Sequence, residues 1–248
     1  MKNMKVIPII LLAVIVTACS ANVDSNSNLN KEEVIDMASS NFSEIDSLSQ
    51  EVVLELTNDF NNIVETTIQN LSSVLIYGDN GSITHIHSIN EVIAQSRRET
   101  VEFYRTPEGM LIDDGFGWQE YIGPEDYSTT YENILNSFIS ASSEFDMTEN
   151  NDNYQFTFLG QDGNIFRTIG EPYSLIFNSF PDDDIELDIE FLIDNEEFHI
   201  SDITIHAVGD YGEGNQASIL TTVVFYDLNE YKEGNFPEPD DLSESGKI

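Results

Sequence analysis

Hydrophobic positions recur at two different periods along this chain, and the changes of period separate helix from strand. Between residues 31 and 45 the apolar side chains Val34, Met37, Ala38, Phe42 and Ile45 lie three or four apart, which is one face of a helix. Asn30 ahead of them and Glu33 three residues on have the spacing of a capping box. The period then drops to two. Val52, Leu54 and Leu56 alternate with Val53, Glu55 and Thr57; residues 63–77 continue as one or two strands; Asp79-Asn80-Gly81 turns the chain into a strand over 82–89. Alternation resumes over 99–105. A Thr106-Pro107-Glu108-Gly109 turn leads to a short strand over 110–113, and Asp114-Gly115-Phe116-Gly117-Trp118 turns into another.

Pro124 opens a helical region reaching Phe145, with Ile134, Phe138, Ile139 and Ala141 as its buried positions. Tyr154, Phe156 and Phe158 mark the next strand. Residues 162–180 are ambiguous and fit a helix broken at Gly170 and Pro172. The clearest strand signal comes last: Ile185, Leu187, Ile189, Phe191 and Ile193 alternate with a largely acidic set. Asn195-Glu196-Glu197 turns the chain, Ile203, Ile205 and Ala207 mark a second strand, a glycine-rich loop covers 209–215, and 218–228 form a third. Consecutive strands with short turns imply an antiparallel meander.

The amino terminus has a different character. Lys2 and Lys5 precede an apolar run over 6–16, interrupted only by Pro8. Such a run is too short to cross a hydrocarbon core of roughly 30 Å. A charged start, a short apolar centre and small residues before a cut describe an export signal over 1–18. Val16-Thr17-Ala18-Cys19-Ser20 resembles the lipobox of bacterial lipoproteins. That resemblance implies a diacylglyceryl group on the Cys19 sulfur and cleavage that leaves Cys19 first. Two acyl chains meet the requirement for stable anchoring. Cys19 is also the sole cysteine, so no intramolecular disulfide competes for it. The expected location is the extracytoplasmic face of the cell membrane. Residues 19–30 are small and polar and read as a flexible tether, 31–236 suit a single domain, and 237–248 form an acidic tail.

Charge narrows the partners. The chain holds 46 acidic and 9 basic residues, and loss of Lys2 and Lys5 leaves a mature net charge of −39. Nucleic acid is excluded, because phosphate binding needs clustered Lys and Arg. Anionic lipid would repel the domain, so the acyl anchor alone has to hold it. Hydrophobic residues still make up 40%, with 15 Phe and 10 Tyr, enough for a core.

Catalytic and metal motifs are sparse. His85 and His87, two apart on a strand, share a face but have no third ligand fixed by spacing. His199 and His206 show no ligand spacing. Asp182-Asp183-Asp184 and Asp210 with Glu213 do not fit a calcium loop. No nucleophile elbow, phosphate-cradling loop or zinc-protease helix is present, so the expectation is a protein that is not an enzyme and carries no cofactor and no metal.

Taken in order, the lipobox, tether, amphipathic helix, long meander, middle helical region and closing three-stranded meander resemble poorly characterised lipoproteins of Gram-positive bacteria. These look like relatives of the LolA-like superfold, which includes the lipid-carrying lipoproteins of mycobacteria. The resemblance spans 31–236 and is one of layout, nearest to a motif over 102–109 and at Gly117-Trp118. It implies an α+β fold: a strongly curved, incompletely closed antiparallel sheet, a half-barrel, with helices packed on its concave side around an apolar cavity. The function it implies is binding of a lipid or other apolar ligand. Phe103, Trp118, Phe138, Phe156, Phe158 and Phe177 are the candidate lining residues, with plain core packing as the alternative for each. The other function in view is an acidic cell-envelope interaction or structural lipoprotein without a small-molecule ligand.

Overall fold

The computed structural model describes residues 29–78, 81–123, 129–177 and 180–239. The expected export signal, Cys19, most of the expected tether and the end of the expected acidic tail lie outside them. Eleven strands form one antiparallel sheet that does not close: β1 (Ser47–Phe60), β2 (Ile63–Tyr77), β3 (Ile83–Ala94), β4 (Arg97–Thr106), β5 (Gly109–Asp113), β6 (Gln119–Glu120), β7 (Asp146–Glu149), β8 (Asn153–Gln161), β9 (Glu186–Asp194), β10 (Ile200–Gly212) and β11 (Asn215–Tyr226). Their spatial order is β6-β5-β4-β3-β2-β1-β11-β10-β9-β8-β7. The chain thus builds one meander outward from the middle, crosses to the far edge, and builds a second meander back. The two meet where β1 pairs with β11, from Ser49 opposite Tyr226 to Asp59 opposite Gln216.

Three helices, α1 (Lys31–Asn41), α2 (Tyr131–Ala141) and α3 (Gly163–Gly170), join the sheet in one hydrophobic core. The capping box expected at Asn30 and Glu33 is formed, with reciprocal bonds of 3.0 and 2.9 Å. Lys31 donates from Nζ to the carbonyls of Ser143 and Phe145, both at 3.0 Å, while Phe42 stacks on Tyr131. α1 and α2 therefore run antiparallel. The Lys31 ammonium sits where the carbonyls beyond α2 carry partial negative charge. Phe138 on α2 is fully buried, its ring 4.6 Å from that of Phe191 on β9 and 5.0 Å from that of Phe156 on β8. At the other end of α2, the Tyr131 hydroxyl accepts from the Ile200 amide at 2.8 Å. These contacts place α2 over the second meander.

Several elements differ in extent from the sequence reading. Residues 63–77 are one continuous strand. The loop expected over 209–215 shrinks to a two-residue turn at Glu213 and Gly214, because β10 and β11 continue pairing to Gly212 opposite Asn215. Glu213 and Gly214 both have positive φ (56° and 81°), the backbone twist that tight hairpins require. Of the helical region expected from Pro124 to Phe145, residues 124–128 lie outside the described residues, and α2 starts at Tyr131, capped by Thr130. The helix over 162–180 does break where Gly170 and Pro172 fall: α3 gives way to a 3-10 turn at Glu171–Tyr173, and Ser174 adopts a left-handed φ of 54°. A short edge strand, β7, has no periodic signal to announce it.

Candidate ligand cavity

The helices leave part of the first meander uncovered, and a cavity of about 360 Å³ opens there. Its sheet wall follows from the two-residue period. Side chains two apart share a face, so Leu71, Ser73 and Leu75 of β2 and Ile86, Ser88 and Asn90 of β3 all line it. Register then assembles a row across four strands, with Gln50 of β1 opposite Ser73, Ser73 opposite Ser88, and Ser88 opposite Phe103 of β4. Met110 of β5 and Tyr121 extend the wall, the Tyr121 ring lying edge-on to Phe103 at 6.1 Å. The opposite wall is Thr129 and Thr130 ahead of α2, with Pro172, Tyr173 and Ser174 after α3. Gly170 lets that turn close: a Cβ there would lie 3.1 Å from Cβ of Leu175.

Serines create the hollow. Larger side chains at 73 and 88 would fill the middle of the row, whereas the two hydroxyls instead bond each other at 3.1 Å. Towards the opening, Gln69 donates to Asn90 at 3.1 Å. Among the described residues no Asp, Glu, Lys, Arg or His lines the cavity; residues 124–128, ahead of Thr129, lie outside them. The ionisable groups present are the phenols of Tyr121 and Tyr173, and burial pushes the Tyr173 hydroxyl well above the ordinary tyrosine range, so it remains a neutral donor.

Two lining oxygens are unpaired. Gln50 is 2% exposed and Tyr173 7%, yet neither Gln50 Oε1 nor the Tyr173 hydroxyl has a hydrogen-bond partner among the described residues. An unsatisfied buried polar group costs about 1–3 kcal/mol, so each such group calls for an explanation.

Of the aromatic residues singled out from the sequence, Phe103 lines the cavity. Trp118 is half-buried in the stretch between β5 and β6 and is not part of the lining. Phe138 and Phe156 are fully buried in the core, facing each other. Phe158 packs on Phe145, and Phe177 on Phe166 and Phe180. Cys19 lies outside the described residues. The sequence reading missed the polar lining residues, because it looked for large apolar side chains. A usable signal was present: Gln50 between Leu48 and Val52, and Ser73 between Leu71 and Leu75, are polar residues inserted in an apolar alternation.

Residues flagged for other chemistry sit elsewhere. His87 bonds Glu102 at 2.6 Å, and His85 packs against the ring of Phe236. Asp182-Asp183-Asp184 form a 3-10 turn whose first carboxylate takes Arg167 at 2.6 Å. Among the described residues no helix is long and apolar enough to cross a membrane.

No protein-family profile matches the chain, and no curated protein does. Solved structures similar to it include LprF from Mycobacterium bovis, at 11% identity over 84% of this chain and 96% of that one, with a TM-score of 0.43. A LolA superfamily protein from Nitrosomonas europaea is 8% identical over 85% of this chain and 98% of its own, with a TM-score of 0.28. At such identities and TM-scores no role and no residue passes from either protein to this chain.

Proposed function

We propose that the protein is a lipoprotein tethered through Cys19 to the extracytoplasmic face of the membrane, and that it holds a lipid or other largely apolar, uncharged molecule in its cavity. The observation that carries this reading is the composition of the lining. Among the described residues no carboxylate lines the cavity of about 360 Å³, while Leu71, Leu75, Ile86, Phe103 and Met110 do. That volume falls within the range of roughly 300–1,000 Å³ usual for ligand sites. The role assigned to the cavity is binding, and no catalytic step is attached to it.

Uptake tests the binding half. The full chain should take up a fluorescent acyl probe saturably, or yield an extractable lipid on purification; neither would occur if the cavity were only a packing defect. Anchoring is tested separately. Cys19→Ser should release the protein into the medium or leave its signal uncut, and normal membrane retention of that variant would refute the tether. The acidic outer face supports a second reading, contact with an envelope partner: Glu186 and Asp188 on β9 are exposed while Leu187 and Ile189 between them point inward. Cross-linking on whole cells should then trap one defined protein.

A further inference from the structure

We infer that the hairpin tip joining β1 to β2 is immersed in the surface of a lipid bilayer whose headgroups carry no net charge. This rests on the tether through Cys19 proposed above and adds a second, non-covalent contact that fixes how the domain sits on the membrane.

The tip is apolar where a solvated turn would be polar. Phe60 is 52% exposed, Ile63 64% and Val64 61%. Phe60 lies opposite Ile63 on the last rung of the ladder, and Val64 is on the next. Side chains alternate between faces along a strand, so Ile63 projects from one face of the hairpin and Val64 from the other. A sheet with one buried face keeps the other polar. Here both faces are apolar and both are exposed. Covering the two together takes a medium that surrounds the tip, as a bilayer does and a single flat protein surface does not. The presentation is rigid: Asn61 and Asn62 have φ of 54° and 63°, as in a tight two-residue turn, and the Asn61 amide donates to Asn215 Oδ1 at 2.7 Å. Tyr211, 43% exposed, sets its ring edge-on to Phe60 at 5.9 Å and widens the apolar surface. β3 ends at Ala94, opposite Thr67, so residues 63–66 run past it.

Register brings the tip within reach of the anchor. α1 ends beside the turn between β9 and β10, where Asn41 donates to the Glu197 carbonyl at 2.7 Å; that turn lies at the end of the sheet away from the tip. α1 begins at Lys31, bonded to the carbonyl of Phe145. The next residue, Asp146, is level with Val53 through Thr157, Glu190, Thr204 and Thr222. The amino end of α1 therefore points toward the tip's end of the sheet. From Val53 to Phe60 is about 23 Å along β1, and from β7 to β1 is at most about 24 Å across, a diagonal of about 33 Å. The residues from Cys19 to Lys31 span up to about 42 Å when extended.

Charge selects the headgroup. Asp59, Glu65, Asp210 and Glu213 belong to the two hairpins that meet at the tip. The neighbouring β3–β4 hairpin offers Arg97 and Arg98, and Arg98 is already paired with Glu91. Anionic lipid is repelled by this balance, and a zwitterionic headgroup is not.

Depth of the tip is measurable. The full mature protein, carrying Ile63→Cys, Val64→Cys or Glu196→Cys labelled with an environment-sensitive fluorophore, is incorporated into phosphatidylcholine vesicles containing a nitroxide-bearing lipid. Cys19 is the sole native cysteine and is blocked once acylated, and all three positions are exposed, so the labels should leave the melting temperature unchanged. Labels at 63 and 64 should shift to the blue and lose most of their fluorescence, while the label at 196, in the turn at the opposite end, keeps its own. Exchanging part of the phosphatidylcholine for phosphatidylglycerol at low salt should weaken the quenching. With the acyl group verified on Cys19 by mass spectrometry, quenching at neither or only one of 63 and 64, or equal quenching at 196, would overturn the immersion and leave the tether standing. Stronger quenching with phosphatidylglycerol would overturn the assignment to an uncharged surface. An unmodified Cys19 would overturn the tether and this inference with it.

Discussion

Ser88 lines the cavity and Phe138 fills the core, and their replacement should have opposite consequences. Phe138 packs against Phe191, Phe156 and Phe145, so Phe138→Ala should cost about 3–5 kcal/mol in a denaturant melt, the range for emptying a buried aromatic site. Ser88 borders empty space. Ser88→Leu should fill that space, abolish probe uptake, and keep the unfolding free energy within about 1 kcal/mol of the parent, since gained apolar burial offsets the lost Ser73 bond. Uptake unchanged in Ser88→Leu would mean that the probe binds somewhere else. Buried phenols set a second residue-scale effect. Burial raises the pKa of Tyr131 and Tyr173, so the folded state keeps protons that the unfolded chain releases above about pH 10. Their contribution is complete below that pH and declines as pH rises beyond it. Alkaline melts should show stability falling from about pH 10, and Tyr173→Phe should make that fall shallower.

Among the elements, those with a strict period were legible in the sequence. α1 has its capping box, β9 alternates cleanly, and the helix break at Gly170 and Pro172 falls where two helix-breaking residues stand together. The elements that were not legible depend on partners distant in sequence. β7 is four residues long and exists because β8 offers its edge, and the 209–215 stretch becomes strand because β10 and β11 each extend the other's ladder. The cavity lay between these cases. Its row of Gln50, Ser73, Ser88 and Phe103 needs the register of four strands, which no local pattern contains, while each polar intrusion into an apolar run was visible alone. Two further substitutions test α1 as an element. Asn30→Ala should cost about 1 kcal/mol by leaving the Glu33 amide without its cap. Lys31→Met should cost a comparable amount, about 1–2 kcal/mol, by removing a charged donor from two carbonyls past α2. Losing α1 altogether would expose Val34 and Ala38, both now inaccessible to solvent.

At the scale of the whole molecule, charge opposes the fold. A formal net charge of −37 compresses many carboxylates onto one compact surface, and the unfolded chain spreads them apart. Salt screens such repulsion within about 10 Å at 0.1 M. The melting temperature should therefore rise between low salt and about 0.5 M sodium chloride, and a flat response would show that repulsion is not limiting stability. The strand order also decides when the molecule can exist. β11 is last in sequence but sits in the middle of the sheet, between β1 and β10. Until residues 215–226 emerge, the first meander has an open edge at β1, the second has one at β10, and no hydrogen-bonded ladder links them. If the chain leaves the cell amino end first, as the proposed export requires, it has to cross the membrane almost completely before β11 can join the two halves.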